Sequence, residues 1–230
     1  QLDAKINYVN QKGKNRPTLS DASDNPAYLF ISQPRSMPLS ILANDTWTAE
    51  DIANQLGFSG ITPGIEKTYA TNSSTANPYW TINHTSNTDQ RDRVIGMLRL
   101  SYDLTKWLKI SARGGTDFYT EQRLRWRDKG TYQSSNKNGD IEEKVIRVRE
   151  DNYDVLLTSN LELNKDFSLG LNAGSSHQQK YLRLTGNSGK EFIMPNLHVI
   201  NNTLTNSYLF DLQESEINSV YGFGQLSFRN

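Results

Sequence analysis

The residues of this 230-residue chain that could carry chemistry are few and scattered. It has three histidines, His84, His177 and His198, and no cysteine. A catalytic triad or zinc site built on these imidazoles requires the fold to converge them, and no local spacing does so. They read instead as surface or loop histidines. Lack of cysteine removes any disulfide framework, thiolate ligand or thiol nucleophile. No glycine-rich phosphate loop runs from a strand into a helix, and Gly114-Gly115 sits inside an alternating stretch, where it relieves crowding or allows a bend. Asn136, Asn138, Gly139, Asp140 and Glu142 are spaced somewhat like a calcium loop, but Ser134 occupies its first position and Val145 its twelfth, which argues against calcium. Neither enzyme chemistry, a metal nor a cofactor is expected.

The polar groups that stand out are Arg93, Arg99, Arg113, Asp117 and Tyr119. They belong to two runs of period two, residues 93–103 and 107–119, joined by a very short polar connection, which is the pattern of a β-hairpin. Val94, Leu98, Leu100 and Tyr102 share one face with Gly96, and Ile110, Ala112 and Phe118 continue that face on the second run. The five polar groups fall on the other face. A half-buried strand of a soluble sandwich alternates in the same way. Two features favour a membrane barrel: Tyr102 and Trp107 flank the turn as an aromatic girdle would, and each run lasts the roughly ten residues a tilted strand needs to cross a bilayer. Placed toward lipid at the midplane, each Arg would cost roughly 2–4 kcal/mol, so the charged face belongs inside. There the charges either pair with each other or a plug, or touch substrate.

Composition agrees with a one-sided sheet. Twenty-five basic and 25 acidic residues cancel, so there is no electrostatic footprint for nucleic acid. A mean hydropathy of −0.68 and 35% hydrophobic residues are low for a chain with a large core but suit a sheet with one apolar face and long polar loops. No apolar run approaches the roughly 18 residues of a membrane helix. Both ends read as cut, the second inside a strand, and the chain is expected to be one internal barrel segment, 1–230.

Along the chain, Leu2, Ala4, Ile6 and Tyr8 alternate with Asp3, Lys5 and Asn7 in an opening strand that ends near Gly13 and Pro17. A long polar loop, about 13–79, follows. Within it short helical turns are expected over Met37 to Leu42 and, after a Thr48 N-cap, Glu50 to Leu56. Trp47, Tyr69, Tyr79 and Trp80 either pack this loop on itself or, with Trp126, line a ligand surface. The return strand is expected from Trp80 to Tyr102, polar on both sides in its upper half. A loop over Gln133 to Asp140 with an Asn138-Gly139 turn leads into a strand over Lys144 to Leu163. A tight turn at Asn164 to Asp166 leads back along Phe167, Leu169, Leu171 and Ala173. A polar loop over Asn187 to Glu214 precedes a last strand through Val220 and Phe228. Tight turns at one end and long loops at the other are the asymmetry of outer-membrane barrels.

The stretches Asn77-Pro78-Tyr79-Trp80, Arg93-Val94-Ile95-Gly96, Leu100-Ser101-Tyr102, Trp107-Leu108 and Arg113-Gly114-Gly115-Thr116-Asp117-Phe118-Tyr119 resemble the barrel of SusC/RagA-type TonB-dependent transporters. Ser219 to Phe228 resembles a later strand of that family. The resemblance implies a bacterial outer-membrane barrel of 22 strands around an N-terminal plug, importing glycans or peptides under a SusD-like lipoprotein lid with energy delivered through TonB. The chain departs from that pattern by omission, with about six strands, no plug and no TonB box. Six strands alone leave two unpaired edges in lipid, so the segment must act within a larger all-β, transmembrane antiparallel barrel. A porin-like barrel and a soluble carbohydrate-binding β-sandwich remain the alternatives.

Overall fold

A computed structural model describes residues 1–16, 19, 25–36, 38–54, 61–68 and 76–228, with the Ser135 side chain excluded. The expected roles of Pro17, Met37, Leu56 and Tyr69 lie outside the described residues.

Six strands form one antiparallel sheet in sequence order: β1 (Leu2–Lys14), β2 (Thr85–Asp103), β3 (Leu108–Arg127), β4 (Asp140–Glu162), β5 (Phe167–Phe192) and β6 (Thr203–Phe228). The two tight turns are built by short polar side chains that replace missing ladder bonds. Thr105 Oγ1 accepts from the Trp107 and Leu108 amides at 3.2 and 3.0 Å, and Asn164 Oδ1 accepts from those of Asp166 and Phe167 at 2.9 and 3.0 Å. Leu108 pairs with Ser159, yet β4 continues to Glu162, so successive hairpins are staggered as in a sheared barrel.

Register settles the faces, because side chains alternate across a sheet. One row runs Leu2, Leu100, Ala112, Val155, Ser175 and Val220 across the six strands. Its neighbours on the same face include Ile6, Leu98, Leu157, Leu171 and Leu226. Many of these side chains are open, with Ile6 83% and Val220 89% exposed. Tyr102, Trp107, Phe167 and Phe228 lie toward the short turns, the last two with ring centroids 4.9 Å apart. Tyr8, Phe118 and Tyr153 bound the same apolar band at its other side. An exposed apolar patch this extensive is not a surface a soluble monomer keeps, whereas a lipid-facing barrel wall requires one.

The apolar core lies elsewhere. Leu29, Leu42, Trp47, Ala76, Trp80, Ile141 and Phe192 are buried at the loop end, in a cap over the strand tops. The cap contains α1 (Pro26–Ser32), α2 (Leu39–Ala43), α3 (Ala49–Ala53) and α4 (Pro78–His84). α2 and α3 fall where short helical turns were expected, and Thr48 closes α3 with a capping box to Asp51.

Three expectations need correction. The return strand does not start at Trp80, because Asn77 accepts from the Tyr79 amide and Pro78 occupies the first helical turn, which begins α4 and delays β2 to Thr85. α1 was missed, although Asn25-Pro26 has the same start signal. The loop expected over Asn187 to Glu214 shrinks to residues 193–202. Its flanks are strand: on β6, Leu204, Tyr208, Phe210 and Leu212 alternate with Thr205, Ser207, Asp211 and Gln213, a period-two signal that the loop expectation overlooked.

Candidate functional site

The polar face of the sheet carries the first set of candidates. Arg93 on β2 binds Asp117 on β3 through two parallel bonds, Nε at 2.8 Å and a terminal nitrogen at 2.5 Å. The two residues are diagonal in register, so the planar guanidinium fork spans the gap. Arg113 on β3 faces Asp154 on β4 and donates through Nε at 2.8 Å. Tyr119 lies under the Arg91 guanidinium, 4.6 Å from ring centroid to carbon. Arg91 and Arg123 both bind Glu121, which is 3% exposed. Arg99 stands between Arg113 on β3 and Asp3 on β1, directly opposite each in register, and forms no ion pair with either. A depression of about 340 Å³ on this face is lined by Met97, Arg113, Asn152, Asp154, Gln178 and Ser219. Sequence alternation thus brought Arg93, Arg99, Arg113, Asp117 and Tyr119 to one wall, where the structure also places them.

The loop aromatics part company. Trp47 is 4% and Trp80 2% exposed. Lys67 Nζ sits 5.2 Å from the Trp47 ring centre, and Trp80 Nε1 donates to Thr131 Oγ1 at 2.9 Å. Both rings face protein. Tyr79 is partly open and meets Phe30 edge-on at 5.3 Å. Trp126, the last residue but one of β3, stacks on His198, centroids 3.7 Å apart and nearly parallel.

Beneath them lies a polar network that sequence reasoning missed. Asp128 follows β3, and its carboxylate binds His84 Nδ1 at 3.0 Å and His198 Nε2. His84 also approaches Asp45 at 3.5 Å through its other nitrogen and stacks on Trp80 at 3.8 Å. One carboxylate thereby ties the long first loop to the β3–β4 and β5–β6 loops. The hydrogen bond to Asp128 raises the His84 pKa against the opposing effect of burial. Burial pushes Asp128 up, but its bonds to the two histidines more than offset this and hold its pKa below the usual value. The residues are 44 and 70 positions from Asp128 in sequence, and nothing local signals the contact.

Glu66 is the second tie. It is 2% exposed and accepts from the backbone amides of Asn77 at 2.6 Å and Tyr132 at 2.7 Å. Burial pushes its pKa up to about 7, against the stabilising effect of those two amides. Asn77, fully buried, donates from Nδ2 to the carbonyls of Leu42 and Lys67, both at 2.9 Å. Gly130 permits this packing: its φ is +99°, and a Cβ there would stand 2.9 Å from the Gly64 carbonyl oxygen. Among the described residues no group of three or more His, Asp or Glu is arranged to hold a metal.

No family model matches the chain, and no curated protein sequence matches it. Solved structures do. The RagAB peptide importer in its closed-closed state matches with a TM-score of 0.56 at 17% identity, over 74% of this chain and 18% of that one. Its open-open state gives 0.57 at 19% identity, over 74% and 19%. A further structure of the RagAB peptide transporter gives 0.56 at 18% identity, again over 74% and 19%. The chain therefore spans about a fifth of the length of the structures it matches. At these identities the likeness is one of fold: the antiparallel strands of this chain follow the path of a stretch of a peptide importer's chain.

Proposed function

We propose that this chain forms part of the wall and mouth of a TonB-dependent outer-membrane transporter of the SusC type. The observation that carries the reading is the two-faced sheet, with an apolar band between aromatic rows on one side and paired charges on the other. That surface is unstable in water and suited to a wall between lipid and a polar lumen. The transported solute is an oligopeptide or glycan, and the peptide importers among the structural neighbours favour the former. A surface lipoprotein of the SusD type covers the loop end, and a plug region outside this segment meets the polar wall and couples to TonB. No covalent step is assigned to these residues. The polar wall and cap bind, position and gate.

The test is outer-membrane fractionation of the full-length protein, with the native mass of what copurifies and uptake of labelled oligopeptides into intact cells. An outer-membrane complex with a lipoprotein, and uptake that ceases without TonB, is expected. A soluble full-length protein that folds without detergent would return the chain to the β-sandwich reading.

A further inference from the structure

One stretch of the polar face is not polar. On β4 and β5 the register sets Val148 opposite Leu182 and Ile146 opposite Leu184, two successive rows on the side that also carries Asp154 and Gln178. Side chains two residues apart on a strand, and those directly opposite across a ladder, are neighbours, so these four form one aliphatic block. Leu209 on β6 pairs with Gly186 and adjoins Leu184 diagonally. All five are half-buried, and they lie in the half of each strand nearer the cap. The frame of the block is polar and already satisfied within the wall. On β3, Glu121 is held by Arg91 and Arg123, and Tyr119 lies under the Arg91 guanidinium. Toward the short turns, Glu150 accepts from Gln178 Nε2 at 2.8 Å and stands 3.9 Å from Lys180 Nζ. Toward the cap, Lys144 binds Glu142 at 2.9 Å, and on β6 Gln213 donates to Asp211 at 2.9 Å. A group arriving here gains little from the frame, whereas the block gains from any apolar surface laid over it.

We infer that Ile146, Val148, Leu182 and Leu184 form a subsite for two apolar side chains of an oligopeptide solute, carried at alternate positions of an extended backbone. The inference rests on the transporter reading of the sheet and narrows the solute within it. Spacing selects an extended peptide: the two rows stand ~6.6–6.8 Å apart along the strands, which is the distance between side chains i and i+2 of an extended chain. A peptide lying along β4 and β5 therefore sets one side chain on each row and turns the intervening one away. Area argues against a folded partner as the occupant. The block spans roughly 10 by 14 Å, whereas a specific protein interface covers ~800 Å² on each side. Chemistry argues against a glycan, because branched aliphatic side chains leave the hydroxyls of a sugar without hydrogen-bond partners.

The test measures uptake by intact cells that make the full-length protein with its native partners. Two labelled seven-residue peptides of one composition are compared, Ser-Ser-Leu-Ser-Leu-Ser-Ser and Ser-Ser-Leu-Leu-Ser-Ser-Ser, so that only the first offers both leucines to one face. The wild type should take up the first with an apparent KM about tenfold lower, the effect of seating one more leucine side chain. Leu182→Ser with Leu184→Ser should erase that difference by raising the KM of the first peptide to that of the second. If the double variant does not assemble, Val148→Thr, which keeps the shape, should narrow the difference to about threefold. Equal KM values for the two peptides in the wild type overturn the proposal. So does an equal loss of both peptides in the variants, which would assign the block to the plug or to the wall itself. Failure of the wild type to import either peptide or any component of a mixed protein digest would instead overturn the oligopeptide reading on which the proposal rests.

Discussion

The sheet and the cap are held together by opposite means. The sheet has almost no core of its own: its strands are tied by ladder bonds and cross-strand ion pairs, and its apolar side chains face outward. The cap has only short helices, yet it contains most of the buried apolar side chains and a buried Glu and Asp. A sheet of this kind takes its stability from its surroundings, whereas the cap takes it from its own packing. The two should therefore fail separately.

Trp80→Ala tests the separation most severely. It removes a buried ring, a hydrogen bond to Thr131 and the platform under His84, at a cost of ~3–5 kcal/mol. Limited proteolysis should cut the cap while the barrel keeps its heat-modifiable gel mobility; loss of both together would mean that the regions are one unit. Leu157→Arg inverts the experiment. A charge in mid-band costs roughly 2–4 kcal/mol, so assembly into lipid vesicles should fall sharply, while Thr158→Arg on the polar wall should assemble normally. Equal assembly of the two variants would break the assignment of faces.

Glu66→Gln sharpens the comparison within the cap. It places an amide where two backbone N–H groups converge, and should loosen the cap by ~1–3 kcal/mol in hydrogen exchange. It should also remove a pH dependence. The Glu66 pKa is raised to about 7 in the folded chain, so the cap binds more protons than the unfolded loop and loses stability as pH rises through about 7. The raised pKa of His84 acts in the same sense, its contribution being lost as pH rises through its folded value. Asp128, lowered, acts oppositely, and its contribution is lost as pH falls through its lowered folded value. Protection factors in residues 128–139 and 193–202, taken relative to the intrinsic exchange rate at each pH, should therefore fall from mildly acid to mildly alkaline pH, and less so in Asp128→Asn. The smallest effect is expected of Thr48→Ala, which removes the α3 cap at about 1 kcal/mol and should raise exchange locally around Asp51.

The same contrast explains what the sequence could and could not disclose. Strands and faces were legible because alternation is local: Leu98, Leu100 and Ile110 declare their side within a few residues, and the register follows from the tight turns. The strand tops were legible in part: Leu204, Tyr208, Phe210 and Leu212 alternate with polar residues on β6, whereas Asn187 to Lys190 at the top of β5 carries no apolar side chain to mark a face. In the cap, Thr48 and Asp51 announce α3 three residues apart, whereas Asn77-Pro78 was outweighed by the β propensity of Tyr79 and Trp80. The His84–Asp128–His198 contact joins three loops and left no trace in spacing, because each partner is chosen by the path of a different strand. Arg93, Arg113 and Asp117 could be assigned to one face because alternation alone places them there.

The length of β4 and β5 has a mechanical consequence. They contain 23 and 26 residues, of which about ten cross the apolar band. From Tyr153 up to Asp140 the tilted wall rises roughly 30 Å, cross-braced by ladder bonds along its whole height. The cap is thus carried on a stiff pedestal roughly that height above Tyr153, so its loops are held by the strands beneath them rather than by the apolar band.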